Sequence, residues 1–354
     1  MVGYSLGICY TLIEGCVFME RLTNTKQVLF CEERWKEKCM KSDITIIGAA
    51  ILDVLAGPVN ENVMQNGSTP MKHISMSFGG DALNEAVVLS QLGFDVELIS
   101  KVGNDEAGKR VQEFLKEKKV HTKIKVEDTL ETGVNIVLFD SVGERKFLTN
   151  PASSLRKLAE EDIVEHLDDA ADIVCLASMF VSPLLDIPAM ERVFQKIKSK
   201  EGRILVADMT TAKNGETLED IKCLLPYIDY IIPNETEAER LTGEKDVHRN
   251  AELFLERGSA CVIIKRGAKG CLIKTGEQEI EVPAYPGVKA VDTTGAGDSF
   301  VAGFLWGLKH KMPLEKCARF GCAVASCTVE KVGANSAIVS SEIPMKRYKE
   351  MLKY

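Results

Sequence analysis

From residue 44 onward the chain alternates short Val- and Ile-rich runs with amphipathic stretches of helical period, and this alternation leaves few ways to fold. Each apolar run needs cover on both faces, which a parallel sheet flanked by helices supplies. Strands are expected over 45–55, 96–101, 172–177, 204–208, 227–232 and 261–265. Helices are expected over 82–92, 107–117, 189–198, 218–224, 236–241, 250–257, 299–309 and 314–328. The fold class is therefore α/β and doubly wound, with a mainly parallel sheet and helices on both faces. Stretches 57–76 and 133–149 break the rhythm with turn residues and period-two runs. Val134-Asn135-Ile136-Val137-Leu138-Phe139, followed across a turn by Glu144-Arg145-Lys146-Phe147-Leu148, predicts a small antiparallel sheet rising from the edge of the main one. A hairpin is expected from 270–274 and 279–283. One such unit with an excursion accounts for 354 residues without a second full domain.

Lysine and arginine number 44 against 52 aspartates and glutamates, so the net charge of −8 offers no basic footprint for nucleic acid or an anionic membrane. A small-molecule role follows, with neither nucleic acid nor membrane as partner. The cationic run at 109–125 is interrupted by Glu113, Glu117 and apolar residues, and reads as a solvated helix face leading into a strand. The cysteines include no Cys-x-x-Cys pair and the histidines show no metal-binding spacing, which points to buried thiols in a reducing, cytoplasmic setting. Residues 1–42 stand apart. Their apolar stretch has no basic start and is broken by Glu14, so it makes neither a signal peptide nor a membrane span. They are expected to be an N-terminal extension, disordered or translated from a start upstream of the true one, with the folded domain occupying 43–354.

The chemistry concentrates in Asp292-Thr293-Thr294-Gly295-Ala296-Gly297-Asp298, just ahead of a helix. Bare backbone at Gly295, Ala296 and Gly297 lets a phosphate reach N–H groups where the helix begins. Asp298 then falls in the first turn. A carboxylate beside an anion site is repelled by the ligand unless it has a task there, and the natural task is taking the proton from a hydroxyl that attacks phosphorus. The plainer alternative is a glycine turn followed by a capping aspartate. A second glycine segment, Gly79-Gly80-Asp81-Ala82-Leu83-Asn84-Glu85-Ala86, opens another helix that stops at Gly93 and weakens that alternative.

With these two segments the chain resembles the ribokinase-like (PfkB) carbohydrate kinases, from about residue 43 to its end. Two further segments lie between them in the family's order: Gly103-Asn104-Asp105-Glu106-Ala107-Gly108 and Asn234-Glu235-Thr236-Glu237. The resemblance implies a ribokinase-like fold in which the small sheet is a β lid over the sugar and often a homodimer contact. It implies ATP-dependent phosphorylation of a hydroxyl on a small sugar, ribokinase- or fructokinase-like, with Mg2+. Asp298 would be the general base, and Gly295, Ala296, Gly297 and Asp298 the anion hole. Acceptor binding would fall to Asp53, at the end of the first strand, with Gly79, Gly80 and Asn84, and to Arg145 and Asn150 as further candidates on the lid or sheet side. Asn234, Lys265, Gly267, Thr294, Gly295 and Gly297 would face the nucleotide. Asn234 and Glu237 would act on the metal mostly through water, although the pair also reads as a helix capping box. Asp292 and Thr294, with the loop at 329–333, resemble the monovalent-cation site of some relatives, where K+ would bind.

Asp81 departs from the family pattern, since relatives that take ribose or phosphorylated sugars often carry Lys there. A neutral sugar or a nucleoside suits an acid at that position better, while Arg145 keeps an acidic sugar such as a ketodeoxygluconate open. Two other readings stand beside the sugar kinase. One is a nucleoside kinase for adenosine or pseudouridine, with the base against Phe78, Phe139 or Phe147. The other is a non-catalytic sugar-binding regulator, which would have no need of Asp298.

Overall fold

The computed structural model of the chain describes residues 41–141 and 145–353, together with the backbone of three short strands nearer the N-terminus. Those strands, β1 (Gly3–Ser5), β2 (Ile8–Ile13) and β3 (Cys16–Arg21), form an antiparallel sheet of their own. They belong to a unit, Met1–Lys41, separate from the unit Ser42–Tyr354. The expectation made for 22–40, and for the turn at 142–144, lies outside the described residues.

The larger unit begins with β4 (Ile44–Ile47), β5 (Ile51–Gly57), β6 (His73–Gly79), α1 (Asp81–Gln91), β7 (Val96–Gly103), α2 (Glu106–Glu117) and β8 (His121–Glu127). It continues with β9 (Val134–Phe139), β10 (Arg145–Thr149), α3 (Glu160–Val164), β11 (Ile173–Met179), α4 (Ile187–Lys198), β12 (Ile204–Met209) and β13 (Tyr230–Ile232). It closes with α5 (Glu235–Thr242), α6 (Val247–Glu256), β14 (Cys261–Lys265), β15 (Cys271–Thr275), β16 (Glu279–Val282), α7 (Ala296–Lys309), α8 (Leu314–Thr328) and α9 (Glu342–Met351).

The central sheet has the order β16-β15-β14-β13-β12-β11-β4-β7-β8 and is parallel from β14 to β8, with the β15–β16 hairpin added antiparallel at one edge. Buried apolar side chains fill both faces, as the unbroken Val/Ile runs require. One face packs Ile46, Leu98 and Val206 against Leu83, Val87, Val301, Phe304 and Phe320 from α1, α7 and α8. The other packs Ile47, Leu205 and Ile231 with Phe194 and Phe254 from α4 and α6. Among the described residues no helix is long and apolar enough to cross a membrane. The described cysteines are free thiols, all buried except Cys223.

A second sheet, β10-β9-β5-β6, is the small one expected from the sequence, antiparallel apart from its central pair β5–β9. Its start corrects the reading of 45–55 as one strand. β4 is buried at every position and pairs within the central sheet, whereas β5 mixes buried and half-buried positions and pairs with β6 and β9, so the chain leaves the central sheet between them. Asp53 thus lies in the small sheet rather than at the end of the first central strand. The helix expected over 218–224 is also corrected. That stretch is a series of turns running into the short 3-10 helix Leu225–Tyr227, with Leu224 and Tyr227 bonding back three residues rather than four. Pro226 has no N–H for a longer helical ladder.

Candidate active site

Parallel strands gather their functional residues at their carboxyl ends, and here Asp208 is the penultimate residue of β12, Lys265 the last of β14, and Asn234 follows β13 by two residues. Lys265 Nζ donates to Asp208 at 2.6 and 2.8 Å, and both side chains are largely buried. Burial alone would lower the Lys265 ammonium, but Asp208 and Glu237 outweigh it and hold the lysine charged, above its ordinary range. Asn234 lies beside Lys265 through a single parallel bridge and caps α5. Its Oδ1 accepts from Glu237 N–H at 2.9 Å, and Glu237 Oε2 accepts from Asn234 N–H at 2.8 Å. Burial, opposed by Lys265 and reinforced by Asp208, raises Glu237 to about 7.

The second glycine-rich segment enters α7 from Gly295, whose φ is +74°. A Cβ there would lie 2.5 Å from the Ala334 carbonyl oxygen, so both the backbone conformation and the close packing demand glycine. The N–H groups of Gly297 and Asp298 at the opening of α7 find no acceptor among the described residues, and Lys265 Nζ lies 3.5 Å from where a Cβ on Gly297 would sit. The result is an open cradle of backbone donors with a buried lysine beside it, which suits an anion. Asp298 stands at its edge and accepts from Asn84 Nδ2 at 2.7 Å through Oδ2. Burial and the neighbouring Asp81 and Asp208 push the Asp298 carboxyl well above the usual range, with Asn84 and Lys265 pulling the other way.

The small sheet carries a further group of polar residues. On β5, Asp53 accepts from Asn135 Nδ2 of β9 at 3.1 Å through Oδ1, and the Asn135 amide oxygen is buried without a partner. A Cβ on Gly79 would lie 2.1 Å from Asp53 Oδ2, so the bare backbone makes room for that carboxylate. Burial is the main cause that raises Asp53 to about 6. Asp81 is bonded by Ser178 Oγ from the end of β11, and Glu85, one residue beyond Asn84, is fully buried with Oε1 unpartnered and Oε2 taken by the Cys175 thiol at 3.3 Å.

Of the residues expected from the sequence, Asp53, Gly79, Gly80, Asn84 and Asp298 form one continuous set, and Asn234, Glu237, Lys265 and Gly297 another beside it. Gly267 lies in the exposed turn after β14. Arg145, on β10, reaches across from the lid to Thr294 Oγ1 and Asp292 Oδ2, each at 2.6 Å. Its guanidinium thus lies against Asp292 and Thr294, the two residues expected near a monovalent cation. Asn150 is not brought into either set: it is exposed, donates to Glu131 at 3.0 Å and accepts from Ala152 N–H at 2.9 Å. The segment at 103–108 is structural, with Asp105 capping α2 and holding Thr132 at the root of the lid. Asp208, Asn135, Ser178 and Asn335 were not read from the sequence. Only Asp208 carried a signal, as an acid closing an expected parallel strand.

The chain matches the profile of the pfkB family of carbohydrate kinases over residues 41–341. It is 32% identical over 254 residues to an uncharacterized sugar kinase of Archaeoglobus fulgidus, covering 72% of this chain and 98% of that one. To a ribokinase of Haemophilus influenzae it is 30% identical over 308 residues, covering 84% and 96%. Among solved structures, Arabidopsis thaliana ribokinase complexed with ribose and ATP shares the fold with a TM-score of 0.75 at 24% identity, covering 88% of this chain and 99% of that one.

Proposed function

The chain belongs to the pfkB family of carbohydrate kinases, phosphotransferases that act on sugars, and on that footing we propose that it uses ATP to phosphorylate a hydroxyl of a neutral sugar. Asp298 takes the proton of the acceptor hydroxyl as its oxygen bonds to the γ-phosphorus and the bond to the departing ADP breaks. The N–H groups at the start of α7 and the Lys265 ammonium offset the charge on the transferred group. Asp53, Asn135 and Asn84 orient the acceptor. The observation that carries this reading is the 2.7 Å contact between Asn84 and Asp298, which sets the proposed base against the acceptor-side segment.

Magnesium held mainly by phosphate oxygens and water needs only one or two protein carboxylates. The residues present fit that demand: the helix cap uses one carboxylate oxygen of Glu237, and Glu237 with Asn234 would hold the ion's water shell. When bound, the metal supplies charge neutralisation at the phosphates. A monovalent cation does not fit at Asp292, whose carboxylate already receives the N–H groups of Gly333 at 2.8 Å and Thr294 at 2.9 Å besides Arg145.

The side chains facing the acceptor also bear on its class. Arg145 is neutralised by Asp292, so it is not left over for an acidic sugar, and Asp53 and Asp81 present acceptors to a molecule rich in O–H donors. Phe78 stacks on Phe114 with ring centroids 4.1 Å apart, which withdraws it from stacking on a base and favours a sugar over a nucleoside. The outer face of the lid carries Val54, Met76, Ile136 and Leu148 in one row across its strands, the last three exposed, which supports a homodimer formed through the lid. The free buried thiols suit a cytoplasmic setting.

An ADP-release screen of ribose, fructose, ketodeoxygluconate, adenosine and pseudouridine tests the proposal, run on the protein and on Asp298→Asn. We expect turnover with a neutral sugar, falling by about 10²- to 10⁴-fold in the variant. Equal turnover in both would remove Asp298 from its role, and binding without turnover in either would favour a non-catalytic regulator.

A further inference from the structure

Asn335 lies in the loop between α8 and α9, far in sequence from both glycine segments, yet its side chain touches the base's own partner. Its Nδ2 donates to the Phe78 carbonyl oxygen at 3.1 Å and to Asn84 Oδ1 at 2.8 Å. Asn84 Nδ2 in turn donates to Asp298 Oδ2 at 2.7 Å. A primary amide has one accepting end and one donating end, and the rest of the network decides which end faces which neighbour. The Phe78 carbonyl can only accept, so it draws the NH2 of Asn335 toward itself. That same NH2 can then meet only the oxygen of Asn84, which leaves the NH2 of Asn84 for the carboxylate. We propose that Asn335 is a positioning residue that sets the polarity of the Asn84 amide and so holds Asp298 in its proton-accepting form.

The rest of the loop supports this. Ala334 packs against Gly295, and Gly333 N–H donates to Asp292, so one short segment is pinned to the cradle on one side and to Asn84 on the other. The charged and titratable groups around Asp298 are Asp81 and Glu85 of α1, Asp208 of β12 and Lys265 of β14. Three of these four are acids. Burial and the acids favour a protonated Asp298, and Lys265 is already engaged by Asp208, so the hydrogen bond from Asn84 is the direct contact that favours the ionised form. An Asn84 amide free to turn over would keep its NH2 on the ionised carboxylate but offer its oxygen to the protonated one, so the neutral form would gain a hydrogen bond that the fixed amide denies it.

This inference rests on Asp298 being the base, and the test separates the two. The Asp298 carboxyl carbon is titrated by NMR in full-length protein labelled with 13C-aspartate, its signal assigned by its loss in Asp298→Asn. In Asn335→Ala the midpoint should rise by about 1 to 2 pH units, the worth of a hydrogen bond to a charged group. Asn335→Leu is nearly isosteric, has no donor and adds no charge. It should raise the midpoint about as far, and it carries the test if the alanine variant fails to fold. A merely structural role would lower thermal stability and leave the midpoint in place. An unchanged midpoint in a folded variant overturns the proposal while leaving Asp298 as base, whereas sugar phosphorylation that survives in Asp298→Asn removes the base itself.

Discussion

Glu237 shows how burial can set the working range of a single carboxylate. It is raised to about 7 by desolvation, with Lys265 opposing and Asp208 adding to the rise. Below that pH the proton is on, and an uncharged carboxyl is a poor partner for the water shell of magnesium. The magnesium concentration needed for half-maximal ADP release should therefore climb as pH falls from 8 to 6, approaching about tenfold per unit below 7. Glu237→Gln should need high magnesium at every pH, which metal titrations at fixed ATP would show; a wild-type requirement that is flat across this range would remove Glu237 from the metal site. Residues such as Asp298, Asn84 and Glu237 were legible in the sequence because each sits in a local pattern with its own mechanical reason: a glycine cradle, a helix start, a capping box. Asn135, Ser178 and Asn335 were not, because each is a lone polar residue whose meaning comes from a partner far along the chain. Arg145 was legible only as a cation near the lid; that it meets Asp292 across the cleft depends on the tertiary fold.

Among the elements, the small sheet, the proposed lid, contacts both sets of site residues. It carries Asp53 on β5 and Asn135 on β9, and through Arg145 on β10 it is tied to the loop that leads into α7. Cutting that tie leaves the buried carboxylate of Asp292 without its cation and frees the lid edge. Arg145→Ala should lower sugar phosphorylation by up to about 10²-fold, the scale of loss that small misplacements cause. It should also admit water to the γ-phosphate, so that ADP released exceeds sugar phosphate formed. Equal amounts of the two products in the variant would mean the ion pair plays no part in closure. Most central elements could be read from apolar period, and 261–265 and 314–328 match β14 and α8 in full. The readings that failed, one strand over 45–55 and a helix over 218–224, lie where the apolar pattern runs on but the chain changes sheet or meets a proline.

For the molecule as a whole, the lid's outward row is where association is argued. Met76 and Ile136 are exposed on that row, with Val54 between them. If a second copy covers it, light scattering should give twice the chain's mass, and Met76→Glu combined with Ile136→Glu should halve it. A wild-type monomer at micromolar concentration would end the proposal.

If the small sheet closes as a lid, whatever Asp53 grasps is carried inward with it, because Asp53 belongs to that sheet rather than to the central one. Occupancy by the sugar and the closing movement are then a single event, and nucleotide arriving alone meets a site with one wall missing. Such an enzyme would work in sequence, the sugar leading and ATP following, with idle ATP breakdown held down by the lack of a complete chamber rather than by any dedicated inhibitor.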